Sequence, residues 1–544
     1  MNKKTIIIIP LLIAISVASG IVIGNLLKQN SQPVFNPIGH TKPNKLTSIL
    51  RLIENGYVDS VNTTDIIEKT IPEILENLDP HTAYIPARNM QEVQEEMRGN
   101  FSGIGVQFSI QEDTVRVIEV VSGGPSSKVG ILPGDRIVAV DDSLIAGVDV
   151  QNATVLNLLR GEKNTKVKVG VARKGYDELL EFEITRDDIP LISVDVSYMI
   201  DNETGFIKVN RFAETTYDEF MLGMRKLKQS GAEKLIVDLR QNPGGSLSSV
   251  LQIIDEFLEK GEPILYTEGL NQPRKTYNAS GRNSWKDVKV YVLIDEFSAS
   301  ASEIFAGAIQ DNDRGLVIGR RSFGKGLVQE QIPLMDGSAL RLTVARFYTP
   351  SGRSIQKSYE NGNDEYFHDL YSRFSHMEQL HADSIQFNDS LKYQTKSGRT
   401  VYGGGGIMPD IFVPADTTGN SPYFDQIYRK GLIYTFAYNY ADSNREKLSQ
   451  FQTGEEFDQY LNQQNVLNEF VNFAQEKGVK RDAKGLQQSK EIIQTQLKAY
   501  IARNIIGEEG FYPIIRQIDN TLQKAIEISQ ENLLVENLTN DSIR

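Results

Sequence analysis

Three serines, Ser298, Ser300 and Ser302, lie where an apolar run gives way to a helical pattern. The run 291–294 predicts a buried strand, and the apolar spacing after Ser300 predicts a helix that begins there. Backbone N–H groups converge at a helix N-terminus and favour a developing negative charge, as an oxyanion requires. A serine at this position is also typical of a plain helix cap, with Glu303 as its capping partner. The segment is therefore compatible with a nucleophilic serine, but a plain helix cap explains it equally well.

A serine nucleophile needs a general base, and all five histidines lie outside the segment 205–350 that carries Ser300. Lysine is the other base known for serine nucleophiles, but it must be neutral, which requires surroundings that lower its pKa. Lys325 lies between two glycines, and its apolar neighbours are suited to exclude water from the amine. Gln329 follows four residues later and returns to the same side in a strand or a helical turn. This spacing allows its amide to orient the lysine amine.

Other chemistry is less well supported by the residues. The Gly-Lys-Gly loop 324–326 is an alternative anion site, but it lacks the full P-loop pattern, which argues against nucleotide binding. The strand 234–239 opens into a Pro-Gly-Gly turn at 243–245, which can direct N–H groups into a cavity or simply lead into a helix. Three histidines show no ligand spacing for a metal: His368, His376 and His381. We therefore predict no metal and no cofactor.

The composition of the 544-residue chain limits what can surround this chemistry. The length predicts two to four domains, and the ordinary apolar content argues against bulk disorder. The formal net charge of −13 argues against nucleic acid as a partner, since phosphate contacts need a basic surface. The absence of cysteine excludes disulfides, a cysteine nucleophile and a thiolate metal site.

The N-terminus predicts passage out of the cytoplasm. Lys3 and Lys4 precede an uncharged, mostly aliphatic run over 5–27, which is long enough to span a hydrocarbon core as a helix. Lysines before the run favour an N-terminus that stays inside the cell. A cleaved signal peptide is the alternative, with a small-residue cleavage site at 17–19. We expect a cell-envelope protein anchored in the inner membrane, with the bulk of the chain in the periplasm.

The pattern after the N-terminal run divides into five segments. They are a linker (28–43), a helical N-terminal region (44–98), a β-rich domain (99–186), an α/β layer domain (187–415) and a helical extension (416–544). Pro72 is expected to break or kink the second helix of the N-terminal region. Residues 357–400 are polar and irregular, which predicts an insertion or long loop.

The elements that must position Ser300 and Lys325 belong to the α/β segment, where strands and helices alternate. The predicted strands are 205–209, 234–239, 289–294, 316–318 and 339–347, and the predicted helices are 217–229, 247–259 and 300–310. Ser300 is therefore expected in the tight turn after the strand 289–294, at the N-terminus of the next helix.

Together these motifs resemble the carboxy-terminal processing peptidases, also called tail-specific proteases, over most of residues 45–415. Six segments in the right order carry the resemblance: 78–84 (LDPHTAY), 103–106 (GIGV), 130–136 (GILPGDR), 238–245 (DLRQNPGG), 298–303 (SASASE) and 323–326 (FGKG). The resemblance implies a multidomain fold, with an α/β protease core of the ClpP/crotonase-like type, an inserted PDZ domain, and helical regions at both ends.

The resemblance also implies roles for single residues. Ser300 is the nucleophile, Lys325 the general base and Gln329 the partner that orients the base. The backbone amides of Gly245 and Ala301 form the oxyanion hole. By chemistry alone the neighbours stay open as alternatives: Ser298 and Ser302 as nucleophile, and Gly244 in place of Gly245.

A PDZ domain at 99–186 is implied in the same way. Gly103, Ile104, Gly105 and Val106 match its carboxylate-binding loop, which offers amides to a C-terminal carboxylate while the peptide adds as a strand to an exposed edge. In related enzymes this domain gates the active site. We therefore expect Ser300 and Lys325 to be misaligned when no substrate is bound.

The implied activity is that of a serine endopeptidase that cleaves envelope proteins at or near their C-termini. Its partners would be polypeptides with accessible tails, and the membrane through its N-terminal segment. The C-terminal helices would either mediate self-association, giving a homo-oligomer, or cover the core. A non-catalytic PDZ adaptor is the main alternative, and the intact set Ser300, Lys325 and Gln329 argues against it. The predicted anchor and PDZ domain argue against a crotonase-like acyl enzyme.

Overall fold

The computed structural model of the protein describes residues 45–111, 113–121, 123–173, 175–385 and 388–531. The predicted membrane or signal segment 5–27 and the predicted linker 28–43 lie outside these residues. Over the described ranges, no helix combines the length and the apolar character that crossing a bilayer requires.

The chain forms two units that divide between Ile71 and Pro72. Helix α1 (Lys45–Gly56) and most of helix α2 (Thr63–Leu75) belong to the first unit. Pro72 lies inside α2, which ends three residues beyond it. Because proline has no N–H to bond the preceding turn, a helix end soon after it is expected.

A β-rich domain and the elements leading into it occupy residues 83–190. They are β1 (Ala83–Ile85), α3 (Met90–Arg98), β2 (Asn100–Gly103), β3 (Val106–Gln111), β4 (Thr114–Val120), α4 (Pro125–Val129), β5 (Arg136–Val140), β6 (Ser143–Leu144), α5 (Asn152–Leu159), β7 (Lys166–Ala172), β8 (Leu180–Thr185) and β9 (Asp187–Pro190). The antiparallel sheet has the order β3-β4-β5-β7-β8, with β6 beside β5, so β3 is an edge strand. Strands β2 and β9 pair with each other where the chain enters and leaves the domain.

The α/β core and the segment after it occupy residues 194–412. Their elements are β10 (Val194–Met199), β11 (Thr204–Val209), α6 (Thr216–Gln229), β12 (Lys234–Asp238), α7 (Leu247–Asp255), β13 (Pro263–Glu268), β14 (Lys275–Asn278), β15 (Lys289–Ile294), α8 (Ala301–Asp311), β16 (Gly315–Gly319), β17 (Leu327–Pro333), β18 (Ala339–Tyr348), α9 (Asn363–Ser375), β19 (Lys392–Gln394), β20 (Thr400–Tyr402) and β21 (Ile411–Phe412).

The central sheet has the order β10-β11-β12-β15-β16-β21. Five strands of this sheet run parallel, namely β11, β12, β15, β16 and β21, and β10 is antiparallel to β11. Every residue of β11, β12 and β16 is buried, as expected when both faces of a parallel sheet are covered. The carboxyl ends of β12 and β15 are neighbours, so the Pro-Gly-Gly turn and Ser300 meet at one edge.

A second sheet carries the lysine loop. Strand β18 pairs with β1, β13 and β17, and β13 also pairs with β14, all antiparallel. Lys325 lies immediately ahead of β17, which was not among the predicted strands. The long β18 therefore connects the loop of Lys325 to strand β1, near residue 83.

The prediction that residues 357–400 are irregular is wrong in part. The segment contains the 13-residue helix α9 and a short hairpin of β19 with β20. The residues Phe367, Tyr371 and Phe374 do recur at helical spacing, but their side chains are exposed. The buried side chains of α9 are Tyr366 and Arg373, so its apolar stripe does not mark its buried face.

Nine helices follow from residue 422 to residue 530 in the described chain. They are α10 (Pro422–Arg429), α11 (Leu432–Ser443), α12 (Arg445–Leu448), α13 (Gly454–Asn462), α14 (Val466–Glu476), α15 (Ala483–Gln488), α16 (Lys490–Ile506), α17 (Glu508–Ile515) and α18 (Asn520–Gln530). Most of them pack around a separate apolar core that includes Phe457, Phe470 and Leu497.

Helix α18 covers one face of the central sheet. Leu522, Ala525 and Ile528 pack in one cluster with sheet residues such as Phe206 and Tyr291. Helices α6, α7 and α8 pack on the sheet in a different cluster. The C-terminal helices therefore do cover the core, which was one of the two expectations for them.

Candidate active site

Ser300 occupies the turn between strand β15 and helix α8. Its backbone has φ of +53° and ψ of −110°, a conformation that residues with a side chain rarely adopt and that costs about 1–3 kcal/mol. Ala299 and Ala301 flank it and are buried. Sharp strand-to-helix turns of this kind expose a nucleophilic serine at the edge of a sheet. Ser300 lines a cleft of the core.

The other two serines of the motif are engaged elsewhere. Ser298 is fully buried, and its hydroxyl donates to the Leu239 carbonyl at 2.8 Å. Ser302 is also fully buried and donates to the Asn242 carbonyl at 3.0 Å. Both bonds hold the chain after strand β12 against the serine turn. Of the three serines, the geometry therefore favours Ser300 as the nucleophile.

The side chain of Glu303 joins the serine turn to the lysine loop. Its Oε2 accepts the backbone N–H of Ser300 at 2.8 Å and that of Lys325 at 2.9 Å, so one oxygen holds both turns. Its Oε1 accepts the N–H of Gly324 at 2.7 Å and the hydroxyl of Ser322 at 2.5 Å. Burial raises the pKa of Glu303 to about 7, and the four donated hydrogen bonds oppose that rise.

The sequence had suggested only a capping role for Glu303. The bond from the Ser300 amide is a capping bond, but the other three donors belong to residues 322–325. One signal was present in the sequence: Glu303 lies on a helix that is otherwise mostly apolar. A carboxylate buried in such a helix requires partners from elsewhere in the fold.

Gln329 orients the Lys325 amine. The amine donates to Gln329 Oε1 at 3.1 Å, and Gln329 Nε2 donates to the His81 carbonyl at 2.5 Å. The bond to His81 determines which end of the amide faces the lysine. The register of β17 against β18 shifts between Val328 and Gln329, and bulges of this kind re-aim side chains near active sites.

The surroundings of Lys325 lower the pKa of its amine. Burial is the largest cause, and the positive charge of Arg341 lowers the pKa further. The carboxylates of Glu303 and Asp79 act in the opposite direction without reversing the shift. A lowered pKa increases the fraction of neutral amine near neutral pH, and only the neutral amine can accept a proton.

The Pro-Gly-Gly turn after strand β12 lies directly against the serine turn. A Cβ on Gly244 would lie 2.7 Å from Ser300 Cβ and 2.9 Å from the Ala301 nitrogen, so this approach requires glycine. The Gly244 N–H is already donated to Asn242 Oδ1 at 2.9 Å. Among the described residues, none accepts the N–H of Gly245 or of Ala301. These two amides are therefore available to an oxyanion, which favours Gly245 over Gly244.

Ser300, Lys325 and Gln329 line one cleft of about 810 Å³. The two candidate oxyanion donors, Gly245 and Ala301, line it as well. No hydrogen bond between described residues joins Ser300 Oγ to Lys325 Nζ, whose side-chain partner is Gln329. The parts of a serine–lysine site thus share one cavity, but no direct hydrogen bond connects the serine hydroxyl to the lysine amine.

Helix α9 and the chain just before it support the lysine loop through its backbone carbonyls. Arg373, with a 3% exposed side chain, donates to the carbonyls of Ser322 at 2.8 Å and Phe323 at 3.3 Å. The backbone N–H of Lys357 donates to the Gly324 carbonyl at 3.0 Å. The segment predicted as a loose insertion therefore binds three consecutive carbonyls ahead of the candidate base.

Helix α9 also contacts His81, whose backbone carbonyl accepts the hydrogen bond from the Gln329 amide. The Tyr366 hydroxyl lies 2.8 Å from Nε2 of His81, whose carbonyl holds the Gln329 amide. Burial lowers the pKa of His81 to about 4, so this ring is neutral at physiological pH. His81 thus acts through its backbone and its packing. Within the described residues, no group of three His, Cys, Asp or Glu side chains could hold a metal ion.

Replacing Arg373 with alanine is expected to lower kcat by roughly ten- to a hundredfold, since small displacements of a catalytic group have effects of this size. KM should change less than twofold, because Arg373 does not line the cleft. The conservative change Arg373→Lys should restore part of kcat. Steady-state kinetics on a peptide substrate measures both constants. Lys392→Ala, an exposed change in the same insertion, serves as the control, and an effect confined to KM would contradict the prediction.

The loop between β2 and β3 has the features of a carboxylate-binding loop. Gly105 has φ of +74°, which favours glycine. No described residue accepts the N–H of Ile104 or of Gly105. Gly103 ends β2 and Val106 begins β3, the edge strand of the β-rich domain. An extended peptide could therefore pair with β3 while its terminal carboxylate meets the loop amides.

Comparison with protein families gives three matches. Residues 203–362 match the model described as peptidase family S41, and residues 102–184 match the PDZ domain. Residues 423–507 match a family of unknown function, DUF8443. The three matches fall on the α/β core, the β-rich domain and the C-terminal helices.

Individual known proteins are similar to this chain over longer stretches than the family models. The carboxy-terminal-processing protease of Bartonella bacilliformis is 35% identical over 313 residues, which are 57% of this chain and 71% of that protein. Carboxy-terminal processing protease CtpB of Bacillus subtilis is 33% identical over 316 residues, which are 58% of this chain and 65% of that protein. Among solved structures, the photosystem II D1 C-terminal processing protease aligns with 57% of this chain and 89% of its own, at 26% identity and a TM-score of 0.33.

Proposed function

Because the chain belongs to peptidase family S41, as a relative of the carboxy-terminal processing proteases with a PDZ domain, we propose that it cleaves polypeptides at or near their C-termini with a Ser300/Lys325 pair. One observation carries the assignment of the pair. The backbone amides of Ser300 and Lys325, 25 residues apart, are held by the same oxygen of Glu303, and both side chains line one cleft.

In the acylation half of the reaction, the neutral Lys325 amine takes the proton from Ser300 Oγ as that oxygen attacks the scissile carbonyl carbon. The carbonyl oxygen becomes an oxyanion and accepts hydrogen bonds from the N–H groups of Gly245 and Ala301. The tetrahedral intermediate collapses as the C–N bond breaks, and the Lys325 ammonium returns the proton to the leaving amine. The N-terminal part of the substrate remains bound to Ser300 as an ester.

In the second half, water hydrolyses this ester. Lys325, neutral again, takes a proton from the water as it attacks the acyl carbon, and the same two amides stabilise the second oxyanion. The C–O bond to Ser300 breaks, and Ser300 Oγ recovers a proton from the Lys325 ammonium. The products are two peptides, and the enzyme returns to its starting protonation state.

The substrate tail brings the pair into line. The free loop amides of Ile104 and Gly105 bind the terminal carboxylate, and the adjoining residues of the tail pair with the edge strand β3. Support comes from the N–H groups of Ile104 and Gly105, which no described residue accepts, and from the position of β3 at the edge of its sheet. The β2–β9 ribbon is the connection through which movement of the domain would reach the core.

Blocking the substrate's C-terminus tests tail recognition. A peptide with a free C-terminal carboxylate should be cleaved with a kcat/KM about tenfold or more above that of the same peptide amidated, because the loop amides lose a charged acceptor. Mass spectrometry of the products gives both rates and the cleavage position. The Ser300→Ala variant measures the background rate without the proposed nucleophile. Equal rates for the two peptides would contradict tail recognition by the carboxylate.

Activity is expected to rise with pH. Glu303 must be ionised to accept four hydrogen bonds, and its pKa is about 7. Lys325 must be neutral, and it loses its proton as pH rises further. Both changes favour alkaline pH, so the acid limb of log kcat/KM should be steeper than one unit per pH unit. Rates between about pH 6 and pH 10 test this, with thermal unfolding as a check on folding, and a flat profile would exclude lysine as the base.

The proposed setting is the cell envelope. Residues 5–27 would anchor the protein in the inner membrane, with the bulk of the chain in the periplasm and envelope proteins as substrates. The support is the aliphatic run preceded by lysines. N-terminal sequencing of the mature protein distinguishes an anchor from a cleaved signal peptide, since cleavage would give a start near Gly20.

A further inference from the structure

Guanidinium groups in the core are generally paired with carboxylates. Ion pairs of 2.5–2.9 Å hold five arginines whose side chains are at most 18% exposed: Arg240, Arg320, Arg321, Arg353 and Arg399. This pairing is expected because burying a guanidinium without a partner costs free energy. Arg314 has no carboxylate partner among the described residues, but it donates to backbone carbonyls such as those of Phe257 and Val288. An arginine of the core with neither a carboxylate nor a backbone carbonyl as partner therefore needs another explanation.

Arg211 and Arg341 are two such arginines, and both line the catalytic cleft. Both are half-buried. Among the described residues, no carboxylate forms an ion pair with either guanidinium. The side-chain partner of Arg211 is the amide of Asn210, whose Oδ1 lies 3.2 Å from Arg211 Nε. Arg341 has no side-chain hydrogen bond to any described residue.

The two guanidiniums belong to different elements that border the cleft. Arg211 precedes Phe212, whose backbone bridges to Gly245 on the oxyanion side. Arg341 lies on strand β18 directly opposite Gln331, two residues along β17 from Gln329, and therefore on the side of the base. A polypeptide bound in the cleft would therefore meet a guanidinium from each of these two elements.

The carboxylates that line the cleft do not neutralise its positive charges. Glu96 is the sole carboxylate among its lining residues in the described chain, and it is exposed on helix α3. Lys325 must be neutral to act as base, so it adds no charge in the active form. Two guanidiniums thus face the bound substrate against one exposed carboxylate.

We propose that Arg211 and Arg341 select acidic side chains of the substrate, on residues that flank the bond cleaved at Ser300. The inference rests on the proposed peptidase function and adds the substrate class to it. A carboxylate can accept two parallel N–H bonds from a guanidinium, and this geometry discriminates against the neutral amide of Asn or Gln. Partial enclosure by the cleft strengthens the attraction relative to open solvent.

The test uses peptides with one common tail and a free C-terminus, so that tail recognition is constant. Glu and Gln are exchanged one position at a time over the three residues on each side of the cleaved bond. The parent should cleave the Glu peptide about tenfold faster in kcat/KM than the Gln peptide at one or more positions. Arg341→Gln and Arg211→Gln should each abolish the preference at a different position.

Two further variants separate charge selection from a general effect. Arg346→Gln removes an exposed arginine from the same strand as Arg341 and should keep the full preference. Arg341→Glu should invert the preference at its position towards Lys. Since Arg341 also lowers the pKa of Lys325, Arg341→Gln should move the acid limb of the pH profile to higher pH, a shift that loss of binding alone would not produce.

Equal cleavage of all Glu and Gln pairs by the parent would overturn the inference, as would a preference that survives both arginine substitutions. Failure of catalysis is a separate outcome. If the parent cleaves no peptide, binding to Ser300→Ala is measured by fluorescence anisotropy. Tighter binding of the Glu peptides then supports charge selection and refutes the Ser300/Lys325 mechanism, whereas equal binding refutes charge selection.

Discussion

Ser300→Ala is expected to lower kcat/KM by about 10⁴-fold or more, because removing a covalent nucleophile leaves only binding and the oxyanion hole. Lys325→Ala should cause a loss of similar size, since the serine hydroxyl is a weak nucleophile without its base. Peptide hydrolysis followed by mass spectrometry measures both. The strained backbone at Ser300 is retained by alanine, so the fold should be unaffected.

The double variant is the sharper part of this experiment. If Ser300 and Lys325 act as a unit, as proposed, Ser300→Ala with Lys325→Ala should be no more than a few-fold worse than either single change. Ser302→Ala is the matched control, because that hydroxyl bonds the Asn242 carbonyl and lies outside the cleft. It should cost about 1 kcal/mol of stability and leave kcat within a few-fold. A large loss in Ser302→Ala alone would point to a different nucleophile.

Glu303→Gln is expected to lower kcat by about 10²-fold or more and to lower stability by about 3 kcal/mol. A glutamine side chain has nearly the same shape, but its NH2 group cannot accept a hydrogen bond. Two of the four donors that converge on the carboxylate would therefore face a donor. Either orientation of the amide displaces one of the turns that carry Ser300 and Lys325.

Chemical denaturation and kinetics together test this prediction. Glu256→Gln is the matched control, because Glu256 is a buried carboxylate that accepts a hydrogen bond from the Tyr217 hydroxyl and does not line the cleft. It should reduce stability while leaving kcat within a few-fold. If Glu303→Gln lost stability but kept its kcat, Glu303 would be a structural acid without influence on the geometry of the pair.

The sequence carried most of the information about the α/β core. Strand positions such as 234–239 and 289–294 were predictable because buried parallel strands read as continuous apolar runs. The order of those strands also places the turn after β12 beside Ser300. Strand β17 was less visible, since its burial alternates irregularly and a bulge interrupts it at Gln329.

The residues that hold the site in place were much harder to predict. The Gln329 amide is oriented by the carbonyl of His81, 248 positions earlier, and any residue type could supply that carbonyl. Arg373 acts on the backbone of Ser322 and Phe323, which leaves no pattern in a single sequence. Side-chain chemistry marks the groups that react, whereas backbone acceptors and donors that position them are invisible until the fold is known.

The position of helix α18 decides how this chain can be shortened for laboratory work. A fragment limited to the matched peptidase region, or one that stops near residue 415, would uncover the sheet face now occupied by Leu522, Ala525 and Ile528. It would also remove Asp519, the ion-pair partner of Arg240 at 2.6 Å. A fragment intended for crystallisation or inhibitor screening should therefore run through residue 531, even though the proposed catalytic residues all lie before residue 330.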